Sequence, residues 1–289
     1  MNKCIKKAAL MIPLVKKYYQ YIIDLRTQVD ALYIQNKTIK SEIEFKLLTL
    51  ESIVDNVLDS VTVDKKFCPI CNNEFQTFLP FGEHLRKNAR CPCCHSLERY
   101  RAWWFFYTNH TDLFNNDKVS VIKVLHFAPE KFLYDKFSSL SHIDYWPVDI
   151  DQSVYGIRDV IDIQNIRYQD ETFDIIICNH VLEHIPDDHR ATKELLRVLK
   201  KDGIAYITCP LYYSPETTLE ISEYNTPELR LKYYGQHDHL RKYGKDFSLR
   251  LERDGFIVKT ICPNKDFTDY ELSRYGIRKE EKIFQCTHA

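Results

Sequence analysis

The residues equipped for chemistry fall into three groups. The first is cysteine: Cys68-Pro-Ile-Cys71 and Cys91-Pro-Cys93-Cys94 are two CPxC units separated by nineteen residues. Each unit can set two thiolates on one side of a tight turn, and two such pairs make the tetrahedral shell of a structural zinc ion. Cys68, Cys71, Cys91 and Cys94 are the expected ligands. Cys93 is the odd thiol, and His84 and His95 are the substitutes. Four protein donors leave no position for water, so this metal is expected to hold a small lobe together and not to catalyse. The second group lies in FDIIICNHVLEHI, residues 173–185. It carries Asn179, His180 and His184. The third is the string YGQHDHLRKYG over 234–244, which crowds Gln236, His237, Asp238, His239, Arg241 and Tyr243 together. Histidine titrates near neutrality and suits proton transfer. His180 and His239, the latter oriented by Asp238, are the expected bases. His184 is a further candidate or a structural residue at a helix start. The His237–His239 pair lacks a third ligand at helical or ribbon spacing and is not read as a metal site.

These groups need elements to hold them. Ile175–Cys178 is a short apolar run that reads as a strand buried on both faces, as in a parallel sheet. It stops at Asn179-His180, and a polar cluster past the C-terminal end of such a strand is where open α/β sheets hold ligands. Similar strands are expected at Val121–Leu125, Ile143–Val148, Val160–Ile161 and Ile204–Cys209. A helix opens at Pro186-Asp187-Asp188 and is expected to end at Gly203. Phe247–Arg253 reads as a helix, and Phe256–Ile261 and Lys282–Cys286 as a closing hairpin. Strands alternating with helices specify a parallel sheet covered on both sides. Ser96-Leu-Glu-Arg starts an aromatic helix through Trp103, Trp104, Phe105 and Phe106.

Upstream, no Gly or Pro falls between residues 14 and 68. Apolar residues recur there in a 3-4 rhythm from Val15, through Ile22, Leu25 and Val29, to Leu50, Ile53 and Val57. Sustained over about six heptads, this argues a coiled coil. β-branched residues at a positions and Asn36 at one of them favour a parallel homodimer through residues 15–57. A long helix, or two, packed on the rest of the chain is the alternative.

Composition narrows the class. Of 289 residues, 44% are hydrophobic and 28% charged, with a net charge of −1. That balance is globular and gives no nucleic-acid footprint. No apolar stretch approaches the ~18–20 residues of a membrane span. The Lys3–Val15 start lacks a small-residue cleavage site and is not read as a signal peptide. Ten cysteines clustered in close pairs suit metal binding in a reducing, cytoplasmic setting.

From Asp162 to Pro210 the sequence resembles the class I, Rossmann-like S-adenosylmethionine-dependent methyltransferases, over their fourth strand, following helix and fifth strand. The string CPIC…FLPFG…ARCPCCHSLERYR, followed by VLHFAPE, looks like a bacterial, methyltransferase type 11-like subgroup with an N-terminal zinc ribbon. The resemblance covers roughly residues 67–286. It implies an α/β fold with a seven-stranded sheet, preceded by a zinc-ribbon lobe and a long helix or coiled coil. The implied domains are 1–64 helical, 65–110 zinc-binding and 111–289 methyltransferase.

The resemblance also assigns roles. Asp149 would bond the cofactor's ribose hydroxyls, with Ile150 beside it and Asp151 in reserve. Asp162 would accept from the adenine amino group, and the Ile163 backbone would read the ring. Phe127, Ala128, Pro129 and Glu130 form the first strand-to-helix turn, where most relatives carry Gly-x-Gly and this chain has no glycine. Asn179 and His180 sit at the mouth. A GQxDHxRxYG string in the subgroup matches 235–244, which implies acceptor binding by Gln236, His237, Arg241 and Tyr243. The implied activity is methyl transfer to an oxygen or nitrogen of a small molecule or glycan. The alternatives are a zinc-ribbon RNA methyltransferase and a non-catalytic scaffold with a degenerate domain.

Overall fold

The structure is a computed structural model. It describes residues 65–289 apart from 83–84, 115–119 and 212–214, with scattered helical positions before residue 65 (17, 20–22, 24–25, 28, 46–47, 49–50 and 53). His84 and most heptad positions of the expected coiled coil lie outside the described residues. Ile22 and Leu47 are buried in one cluster with Leu25 and Leu50 against them.

The described chain forms two compact units. One comprises the residues up to Phe105 with Asp269–Arg278; the other comprises Phe106–Thr268 with Lys279–Ala289. In the first, β1 (Lys66–Cys68) pairs antiparallel with β2 (Asn73–Phe75), and β3 (Leu79–Phe81) with β4 (Arg86–Arg90). Strands this short bury little on their own. Arg101, on α1 (Glu98–Asn109), supplies part of the missing order. It is fully buried and donates to the carbonyls of Asn88, Ala89, Ser96, Tyr275 and Gly276. Its guanidinium also lies over the Phe78 ring, 4.0 Å from the centroid.

The second unit is built on a seven-stranded sheet in the order β10-β11-β9-β8-β5-β6-β7. Its strands are β5 (Ile122–Phe127), β6 (Ile143–Asp149), β7 (Asp159–Val160), β8 (Phe173–Asn179), β9 (Leu199–Thr208), β10 (Phe256–Ile261) and β11 (Ile283–His288). β5 to β9 run parallel, and β11 is antiparallel to both β9 and β10. Its helices include α2 (Lys131–Phe137), α3 (Asp188–Val198), α4 (Pro227–Tyr234) and α5 (Phe247–Arg253). β8 is central, and its apolar residues enter a core with Leu125, Val148, Leu195, Ala205, Ile207, Phe247, Leu251 and Phe284. β5 pairs with β6 on one side and β8 on the other, so the strand order reverses at β5. Parallel sheets bind ligands at such a switch point.

The largest departure from the expected boundaries lies between α3 and β9. α3 stops at Val198, and Leu199 is already extended. Gly203 lies inside β9, where the register with β8 shifts. A Cβ at Gly203 would stand 2.9 Å from the Asp174 carbonyl and 2.8 Å from the Leu199 side chain. The glycine permits close strand approach and does not cap the helix.

Candidate functional site

The parallel strands deliver their C-terminal ends to one cavity of about 290 Å³. It is lined by Phe127 and Ala128 after β5, Asp149 and Ile150 after β6, and Ile161, Asp162 and Ile163 after β7. His180, Val181, His184 and Ile185 complete it beyond β8. Apolar walls with two carboxylates at separate strand ends suit a ligand that has a flat apolar part and hydroxyl or amino donors. Seven of the residues expected to bind a cofactor line this cavity: Phe127, Ala128, Asp149, Ile150, Asp162, Ile163 and His180.

The loops are held by their own acids. Asp149 Oδ1 accepts from the Asp151 amide at 2.9 Å, and Asp162 Oδ1 from the Gln164 amide at 2.8 Å. Two non-glycine residues are left-handed at the strand ends, Ala128 (φ 47°) after β5 and His180 (φ 53°) after β8. Such conformations cost an L-residue about 1–2 kcal/mol and gather at ligand sites. A glycine would adopt this left-handed turn without that strain.

Pro129, Glu130 and Asn179 do not line the cavity. Glu130 Oε2 faces inward onto the buried His126, 3.1 Å from Nε2, while His126 Nδ1 lies 2.9 Å from the Tyr145 hydroxyl. The carboxylate ties the start of α2 to β5. Asn179 is buried, and its Oδ1 accepts from Thr208 Oγ1 at 3.1 Å. Among the described residues its Nδ2 has no hydrogen-bond partner.

The insertion after β9 carries the third group. Arg241 and Tyr243, expected to bind an acceptor, are both buried. Arg241 donates to the carbonyls of Leu182 (3.0 Å), Ile185 (2.5 Å) and Pro186 (2.9 Å) and to Glu220 Oε1 (2.7 Å). Tyr243 donates to Asp188 Oδ2 at 2.8 Å. These side chains fasten the insertion to the turn after β8 and to the first residue of α3. Gln236 and His237 are exposed.

The expected Asp238–His239 couple does not form. Asp238 Oδ2 lies 3.3 Å from His184 Nδ1. His239 is buried, with Nδ1 3.3 Å from the Tyr234 carbonyl, and burial holds its pKa below the ordinary histidine value. The His184 and His239 rings meet edge to face, with centroids 4.8 Å apart.

Glu183 belongs to the same site, though its sequence position alone suggests no role for it. It lies within the string that carries His180 and His184, yet it is only 1% exposed. Its Oε1 is 3.3 Å from His180 Nδ1. Burial pushes this carboxyl up, but His180 and then His184 outweigh that and hold it below the usual range. Spacing from the two histidines was the available signal: Glu183 follows His180 by three positions and precedes His184 by one. Glu281, 2% exposed and 4.0 Å from His180 Nε2, comes from far along the chain and gave none.

In the first unit, Cys68, Cys71, Cys91 and Cys94 come together as expected. Cys68 and Cys94 sulfurs are 3.6 Å apart, and those of Cys71 and Cys91 3.7 Å. A tetrahedral zinc with ~2.3 Å Zn–S bonds needs about 3.8 Å, so the donor set fits. The two knuckles repeat one device. The Asn72 amide donates back to the Cys68 carbonyl (2.8 Å) and the His95 amide to the Cys91 carbonyl (3.1 Å). Both closing residues are left-handed, at φ 56° and 60°. His95 therefore ends a turn, and the exposed Cys93 lies outside the shell.

Residues 122–207, β5 through most of β9, match the family model described as a methyltransferase domain. A similar curated protein is the uncharacterized methyltransferase YcgJ of Bacillus subtilis (strain 168), 34% identical over 64 residues. That match takes in 19% of this chain and 24% of the relative, so the chain spans about a quarter of that relative's length. Similar solved structures include YcgJ of Bacillus subtilis (14% identity, 61% of this chain and 96% of that one, TM-score 0.38). Another is a putative methyltransferase from Bacillus halodurans C-125 (17% identity, 59% and 94%, TM-score 0.38). A third is the Haloferax volcanii complex of the Trm112 methyltransferase activator with the putative methyltransferase (12% identity, 66% and 93%, TM-score 0.43). At TM-scores below 0.5 these stand as likenesses only. Among the described residues, no helix is long and apolar enough to cross a membrane.

Proposed function

We propose that the chain is an S-adenosylmethionine-dependent methyltransferase that modifies an oxygen or nitrogen of a small molecule or glycan. The observation that carries this reading is the cavity at the β5 switch point, with Asp149 and Asp162 at the ends of adjacent strands inside the segment that matches a methyltransferase domain. Asp149 would accept from the two ribose hydroxyls, and Asp162 from the adenine amino group. Phe127, Ile150, Ile161 and Ile163 would enclose the ring. When bound, the cofactor supplies a methyl group already activated as a sulfonium. What remains for the protein is to align the acceptor and to take its proton. His180 lines the cavity next to a buried carboxylate and is the favoured base; His184 lines the same wall. The four thiolates of the first unit would hold a structural zinc, with no position left open for chemistry.

Calorimetric titration with S-adenosylmethionine and S-adenosylhomocysteine tests the reading. Micromolar binding that is lost in Asp149→Ala is the expected result. No binding by folded wild-type protein would overturn it and favour a scaffold.

A further inference from the structure

Glu183, His184 and His239 bring one donor atom each to within 4.8 Å of one another. They come from two parts of the chain, the turn after β8 and the insertion after β9. An ion with ~2.1 Å bonds draws its donors to about 3.0–4.2 Å separations. Rotation of His184, whose side chain is 32% exposed, can supply that contraction.

The surroundings are those of a ligand set. Metal-binding histidines present one ring nitrogen to the ion and give the other N–H to a carboxylate or carbonyl. Here His184 Nδ1 faces the Asp238 carboxylate and His239 Nδ1 the Tyr234 carbonyl, each at 3.3 Å. Nε2 of each ring is left for coordination. The third donor carries an independent sign. Glu183 is almost wholly buried, and neither of its oxygens has a hydrogen-bond partner among the described residues; Oε1 lies 3.3 Å from His180 Nδ1. A buried carboxylate so sparsely bonded is costly unless a cation completes it.

We propose that Glu183, His184 and His239 form a second metal site, distinct from the four-cysteine cluster, that takes a divalent transition ion through one carboxylate oxygen and two imidazole nitrogens. Mixed nitrogen and oxygen donors select Zn²⁺, Mn²⁺, Fe²⁺, Co²⁺ or Ni²⁺ over Mg²⁺ and Ca²⁺. Three protein donors leave positions for exogenous oxygen, and His184 also lines the cavity. An acceptor hydroxyl bound to such an ion loses its proton more readily. That consequence rests on the methyl-transfer reading; metal binding does not.

The test is Co²⁺ titration of the full-length, zinc-loaded protein, followed by absorption. Thiolate ligation gives a sulfur-to-cobalt charge-transfer band, and imidazole–carboxylate ligation gives d–d bands alone. About one equivalent with d–d bands alone is expected. Glu183→Gln and His239→Ala should weaken it at least ~100-fold, and Asp238→Asn about 10–100-fold. Far-UV circular dichroism and retained zinc certify folding. Should His239→Ala not fold, Asp238→Asn decides, because its side chain is 49% exposed. Absent saturable binding in wild type, a thiolate band, or undiminished affinity in the folded variants would overturn the proposal. Loss of S-adenosylmethionine binding with cobalt binding intact would strike the methyl-transfer reading alone.

Discussion

Asp238 Oδ2 sits 3.3 Å from His184 Nδ1 and not against its chain neighbour His239. The pair joins the insertion after β9 to the turn after β8. Leu240 strengthens the same seam, its amide donating to the Glu183 carbonyl at 2.8 Å. The candidate chemistry is therefore assembled by a tertiary contact.

Arg241 is the main fastener of that seam. Arg241→Ala removes this donor from three carbonyls and leaves the Glu220 carboxylate with Arg250, 3.5 Å away. Breaking a buried charged network costs about 3–5 kcal/mol. Urea unfolding should show a loss of that order in the second unit. A variant of wild-type stability with only a raised acceptor KM would return Arg241 to acceptor binding.

Asp188 gives a pH signature. Burial pushes its pKa up, but Arg241, Arg250 and Tyr243 outweigh that, and the carboxyl titrates below its ordinary value. The unfolded chain then binds the proton more readily. The stability this supplies is complete above the unfolded carboxylate value near pH 4 and is lost as pH falls through the lower folded value. Urea midpoints of wild type and Asp188→Asn should differ most near neutrality and converge in acid. A pH-independent gap would refute the account.

Ala128 is strained at the turn after β5, where a glycine would not be. Ala128→Gly should raise stability by about 1 kcal/mol by relieving φ 47°. Ala128→Val should lower it, because a β-branched residue tolerates that region poorly. Thermal melts of the two variants moving in the same direction would show that strain is not what matters at this turn.

Thiolate-bound zinc, released by a mercurial reagent, should amount to about one per chain and vanish in Cys71→Ser. Small metal lobes owe most of their folding free energy to the ion. Zinc loss should therefore wet the fully buried Trp103 and red-shift its emission. Unshifted emission from zinc-free protein would show that the lobe folds without metal.

Short-range patterns carried much of this protein in its sequence. Two CPxC units marked four thiols that meet at zinc-like distances, because a tight turn fixes both members of each pair. Apolar runs ending in Asp149 and Asn179-His180 marked strands whose far ends converge on one cavity, because a parallel sheet places all such ends on one edge. The end of α3 was not legible. Gly203 has the look of a helix stop, and only its closeness to Asp174 on the neighbouring strand makes it a strand residue.

Tertiary structure alone decided what the polar string at 234–244 does. Sequence shows which side chains are present, but burial and partners come from folding. Arg241 and Tyr243 turned inward, Asp238 chose His184, and His239 joined Glu183. The physical reason is that a buried polar group must be satisfied by whatever the fold brings near it. Partners supplied by separate turns leave no spacing in the chain to read.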